Sequence, residues 1–96
     1  MIKHHILVKW NSKAGDKKIL LQDIQSIFDK LSFYDEVSSI SYFENVVDRP
    51  NRYDLMICIE MEDEFLPIYD KSAPHQEWKE KYGKFLEKKA IFDSEA

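Results

Sequence analysis

The stretch Tyr69-Asp70-Lys71-Ser72-Ala73-Pro74-His75-Gln76-Glu77-Trp78 sets a tyrosine and a histidine six residues apart across a proline break. Brought to one pocket, this pair suits proton transfer. An imidazole titrates near neutrality and can take a proton from carbon, while a phenol can donate to an oxygen as it turns negative. A second histidine, His4, lies near the start of the chain on the apolar side of an alternating segment. Each residue also has a purely structural role open to it. His75 follows a proline and can bond the free backbone groups of a helix start. Tyr69 lies among Phe65, Leu66 and Ile68 and can be a core aromatic with its hydroxyl at the edge. His4 can be a buried, hydrogen-bonded histidine. Trp10, Trp78 and Tyr82 either wall an aromatic pocket or fill the core.

Other chemistries find less support. His4 and His5 are adjacent on a strand and point to opposite faces, so they cannot chelate one ion together. Cys58 beside His5 supplies too few ligands for a closed zinc site, and no metal is expected. No Ser-His-Asp signature stands out. With Gly15 and Gly83 as the only glycines, a phosphate loop and a dinucleotide fingerprint are excluded. No cofactor is expected.

The elements that must position these groups are legible from periodicity. Ile2, His4, Ile6, Val8 and Trp10 alternate with Lys3, His5, Leu7 and Lys9 in a first strand. Asn11 to Gly15 form a turn. Asp16 caps a helix in which Ile19, Leu20, Ile24, Ile27, Phe28 and Leu31 recur at helical spacing. Val37 to Val47 reads as a second strand, and Tyr53 to Met61 as a third beyond the Asp48-Arg49-Pro50-Asn51 turn. Asp63 caps a short helix through Tyr69. Ser72 and Pro74 restart a helix carrying Trp78, Tyr82 and Phe85, with Gly83 near its end. Ala90-Ile91-Phe92 is a short last strand, and Asp93 to Ala96 a tail.

The order is β-α-β-β-α-β, the α+β ferredoxin-like arrangement. Right-handed crossovers set the first strand beside the third, antiparallel, with both helices on one face of a four-stranded sheet. A register opposing Lys3 to Glu60 and Lys9 to Asp54 makes both charge pairs favourable and opposes Leu7 to Met56 and His5 to Cys58. On the other face it opposes Ile2 to Met61, His4 to Ile59, Ile6 to Ile57, Val8 to Leu55 and Trp10 to Tyr53. That second face is apolar and should carry the helices, with any pocket between them and the first and third strands. The face bearing Leu7, Met56 and Cys58 has an apolar centre and a charged rim. This is the composition of an interface, and a homodimer packed sheet to sheet is expected.

Ninety-six residues, 44% hydrophobic and 33% charged, make one globular domain over 1–96. A formal charge of −4 opposes nucleic-acid binding, and the lysines from Lys79 to Lys89 are interleaved with Glu80 and Glu87. A lone cysteine excludes an internal disulfide and fits a reducing compartment. No leader pattern precedes the first strand and no apolar run reaches membrane-spanning length, so a cytoplasmic protein without membrane contact is expected.

With the elements in place, the opening Met1-Ile2-Lys3-His4-His5-Ile6-Leu7-Val8-Lys9-Trp10 resembles the start of stress-responsive A/B barrel (Dabb) domains. Tyr53-Asp54-Leu55 resembles their tyrosine-led third strand. Tyr69 with Pro74-His75, followed by Ala90-Ile91-Phe92-Asp93, resembles their ending. The resemblance spans nearly the whole chain in order. It implies a ferredoxin-like protomer that dimerises into an α+β barrel. Relatives of this kind include polyketide cyclases that close a ring by aldol condensation without cofactor or metal. By motif position His75 resembles their base, Tyr69 their hydrogen-bond donor, and His4 a histidine lining the same pocket. The chain departs from the family in one place: the common His-Pro-x-His becomes Ser72-Ala73-Pro74-His75, which loses the first histidine and moves the proline by one.

Three functions follow from these readings. One is a cyclase or lyase acting on a small aromatic or β-keto acid through His75 and Tyr69. Another is a non-catalytic, stress-related binding or structural dimer. The last, supported mainly by the fold, is a cofactor-independent monooxygenase or haem-handling protein.

Overall fold

A computed structural model describes all 96 residues. Strand β1 (Ile2–Trp10) leads through a turn at Gly15, whose φ of 78° suits glycine, into helix α1 (Lys17–Phe28). Strand β2 (Val37–Glu44), strand β3 (Leu55–Met61), helix α2 (Leu66–Lys71), helix α3 (Ala73–Tyr82) and strand β4 (Leu86–Glu95) follow. The sheet order is β2-β3-β1-β4, antiparallel throughout, as expected of the ferredoxin-like arrangement. No helix is long and apolar enough to cross a membrane.

The period-2 alternation of β1 sets the two faces. His4, Ile6, Val8 and Trp10 are buried with Leu55, Ile57, Ile59 and Met61 of β3. Leu20, Ile24, Ile27 and Phe28 of α1 and Trp78 and Tyr82 of α3 close over them in one core. Asp16 caps α1 as expected, accepting from the amides of Lys18 and Ile19. The β1–β3 register matches the expected pairing from Ile2↔Met61 to Val8↔Leu55, including Lys3↔Glu60, His5↔Cys58 and Leu7↔Met56.

Beyond Val8 the expected pairing fails. Lys9 does not meet Asp54, nor Trp10 Tyr53, because β3 begins only at Leu55. Asp54 instead turns its carboxylate to the end of β1, accepting from the Trp10 amide at 2.8 Å and from the Lys17 ammonium at 2.8 Å. Lys9 donates to the Pro50 carbonyl at 2.6 Å and approaches Glu87 at 3.5 Å. A short polar side chain that satisfies a strand-end amide outcompetes a cross-strand charge pair exposed to water.

Other boundaries shift as well. Strand β2 stops at Glu44 rather than Val47. Asp63 caps nothing; its carboxylate receives the amino terminus of Met1 at 2.9 Å, and residues 63–65 form a 3-10 turn before α2. The largest difference is β4. It runs the full length of β1, from Ile2↔Glu95 to Trp10↔Leu86, so the supposed tail after Phe92 is strand. Its sequence, Leu86 to Glu95, lacks clean alternation because it is an edge strand, where charges block pairing with other chains.

Asp54 therefore ties the end of β1 to the start of α1. Its neighbours hold its carboxyl below the usual range: burial pushes the other way, but Lys17, the Trp10 amide and Lys9 outweigh it. A depressed carboxylate stabilises the fold above its unfolded pKa, and that contribution disappears as pH falls through the folded value. Asp54→Asn should destabilise the protein by about 1 kcal/mol at pH 7 in urea denaturation. The gap between variant and parent should narrow as the pH is lowered below about 4.

Candidate functional site

The break between α2 and α3 is built by Ser72. Its amide and its hydroxyl both donate to the Tyr69 carbonyl, the latter at 2.7 Å, which closes α2. Its hydroxyl oxygen also accepts from the His75 amide at 3.3 Å, which opens α3, while Pro74 occupies a first-turn position where no amide is needed. Tyr69, at the end of one helix, and His75, at the start of the next, are thereby turned toward each other. Their ring centroids lie 4.7 Å apart. His4, reaching in from β1, meets the Tyr69 ring edge-on with centroids 5.2 Å apart. The sequence-derived trio is thus one aromatic cluster.

The three rings line a cavity of about 320 Å³, together with Ile6, Leu66, Asp70, Trp78, Lys89, Ile91 and Asp93. It lies between β1, β4 and the α2–α3 break, not against β3 as expected. The reason is filling: Leu55, Ile57, Ile59 and Met61 of β3 are packed solid under the helices, whereas the edge strand brings Lys89, Ile91 and Asp93 to the same face and leaves a gap.

Hydrogen bonding sets the proton states. His75 donates Nδ1–H to the Asp70 carbonyl at 2.8 Å, and a carbonyl can only accept. Its Nε2 therefore carries the lone pair in the neutral ring. Burial lowers the His75 pKa below the ordinary imidazole value. Of the smaller influences, the Asp70 carbonyl and carboxylate oppose that shift, and Lys79 and Lys89 add to it. At pH 7 the ring is a neutral base. His4 places Nδ1 2.6 Å from the Asp93 carboxylate, again leaving Nε2 as the free nitrogen. Asp93, expected in a tail, and Lys89 are cavity residues that sequence reasoning missed. For Asp93 the signal was present, since a carboxylate on a strand beside a buried histidine is its natural partner.

Tyr69 is 1% exposed, and its hydroxyl has no hydrogen-bond partner in the protein. Burial, with Asp70 and Asp93 adding to it, pushes its pKa far above the ordinary phenol value, so the hydroxyl stays protonated and can donate. Trp78 lines the cavity. Trp10 and Tyr82 do not, so they fall outside the substrate-binding set expected from sequence. Trp10 packs edge-on against Trp78 in the core, and the Tyr82 hydroxyl donates to Asp23 on α1. A larger groove of about 830 Å³ lies between the 45–54 loop and the turn after β1. Lys17 is engaged by Asp54 and Lys9 by the Pro50 backbone carbonyl, and the groove holds no buried free donor. The smaller cavity is the chemically equipped one.

An unpartnered buried hydroxyl costs about 1–3 kcal/mol. Tyr69→Phe keeps the ring and removes that group, so the ligand-free protein should gain about 1 kcal/mol of stability in thermal or urea unfolding. An unchanged or lower stability would mean the hydroxyl is satisfied in solution.

No protein-family model matches this sequence, and no curated protein does either. Solved structures do match. A dimeric ferredoxin-like protein from Thermobifida fusca superposes with a TM-score of 0.79 at 13% identity, covering 99% of this chain and 90% of that one. A Dabb family protein from Mesorhizobium loti gives 0.76 at 17% identity over 99% and 95%. A hydroxynitrile lyase from Passiflora edulis gives 0.75 at 14% identity over 97% and 90%. At these identities the likeness is one of fold: the chain has the ferredoxin-like α+β fold of a Dabb family protein and of proteins described as dimeric.

Proposed function

We propose that this chain is a Dabb-like domain that works as a cofactor-independent cyclase or lyase on a small carbonyl compound. The observation that carries this reading is the Tyr69 hydroxyl, a buried donor without a protein acceptor beside a base whose Nε2 is free. His75 Nε2 removes a proton alpha to a carbonyl, and Tyr69 donates a hydrogen bond to the resulting enolate oxygen. The enolate carbon attacks a second carbonyl, and the new alkoxide takes back the proton from the His75 imidazolium. His4, held by Asp93, orients a carbonyl or a water. A hydroxynitrile lyase among the proteins sharing the fold supports lyase chemistry by analogy alone.

The test is proton–deuterium exchange at the alpha carbon of acetoacetate and benzoylacetate, followed by NMR. His75→Ala should slow exchange by at least about 100-fold while leaving the fold intact. The reading fails if the parent protein exchanges no faster than the variant. That result would favour the second reading, a non-catalytic stress-related dimer, in which the His75–Asp70 bond simply fastens the start of α3.

The open face of the sheet belongs to the same proposal. Leu7, Met56 and Cys58 are half-buried at its centre, flanked by Phe43 at 53% exposure and Phe92 at 63%. Neighbours with this fold are described as dimeric, and a second copy packed sheet to sheet would cover this patch. Met56→Asp would bury a charge there and should shift the protein toward monomer in sedimentation or light scattering. An unchanged mass would count against this interface. The single thiol, Cys58, is in keeping with a reducing, cytoplasmic setting.

A further inference from the structure

Lys89 is a lysine on the wrong side of its strand. The register opposes it to Val8, which is fully buried, so both project from the helix-covered face of the sheet. Its side chain lines the 320 Å³ cavity together with His75 and Tyr69. Its ammonium makes neither an ion pair nor a hydrogen bond within the protein, and the same holds for Lys79, one turn beyond His75 on α3. Of the two carboxylates at the cavity, Asp93 is engaged by His4. Around His75 that leaves two free cations against one free anion, Asp70.

We propose that the substrate of this site is a carboxylic acid, and that Lys89 selects it by binding its carboxylate at the cavity mouth. This rests on the reading of the cavity as a ligand site. The dimensions agree: a cavity of this volume takes a one-ring or short keto acid. Lys89 Nζ then holds the charged end at the rim, and the carbonyl end points inward toward His75 and Tyr69. Lys89 is exposed, so its ammonium is open to an incoming carboxylate, and a charge-assisted hydrogen bond is stronger than a neutral one. The competing role for an inward charge on an edge strand is protection against aggregation.

The test uses 2,4-dihydroxybenzoate and its neutral counterpart 2,4-dihydroxybenzamide, titrated calorimetrically into the full-length protein. The acid should bind about tenfold more tightly than the amide. In Lys89→Met that preference should shrink to about twofold or less, with amide affinity unchanged, and Lys89→Arg should retain it. Equal affinities for acid and amide in the parent overturn the acid selection while leaving the cavity a ligand site. Acid preference that survives in Lys89→Met, or a variant that only aggregates more while Lys89→Arg shows no preference, overturns the role of Lys89. If neither compound binds, the proposal falls, and alpha-carbon exchange then decides separately whether the catalytic reading falls with it.

Discussion

The arrangement depends on one strand. β1 lies between β3 and β4 and pairs with both, so its alternation is imposed on the whole sheet. A slip of one residue would move Ile6 and Val8 to the open face and His5 and Leu7 under the helices. The same slip would take His4 away from Asp93 and Tyr69. Core, cavity and open face are therefore one decision, enforced by the cost of exposing a continuous apolar row.

Within that frame the site is made by a small local device. Ser72 ends one helix and begins the next with a single hydroxyl, donating to the Tyr69 carbonyl and accepting from the His75 amide. Because α2 ends there, the Asp70 carbonyl is free of any helical partner and can take the His75 Nδ1–H. A helix terminus that needs satisfying thus sets the tautomer of His75. Ser72 supplies the hydrogen bonding that shapes the break.

The cavity and the open face hold what the fold does not need. The Tyr69 hydroxyl has been taken out of water without a protein partner, and Lys89 has been placed on a core-facing strand position without a counter-ion. The buried hydroxyl costs stability, and stored cost of this kind concentrates where ligands act; Lys89, exposed at the rim, stays hydrated. The exposed Phe43 and Phe92 beside Leu7 and Met56 are the counterpart on the other side of the sheet.

The sequence by itself determined the element order, the strand alternation of β1 and β3, their register up to Val8↔Leu55, the Asp16 cap and the break at Ser72-Pro74. These rest on periodicity and capping, which act between residues close in the chain or through a repeated apolar pattern. It also singled out His4, Tyr69 and His75, because few residue types move protons and these stood at element boundaries. Only the tertiary structure decided that β4 runs from Leu86 to Glu95, since an edge strand carries charges that hide its period. It alone joined Asp93 to His4 across 89 residues, moved Trp10 and Tyr82 out of the cavity, and turned Asp54 from a ladder partner of Lys9 into the cap of the Trp10 amide. Each of these depends on which distant groups compete for one donor or one gap, and that competition is settled only when the sheet has closed.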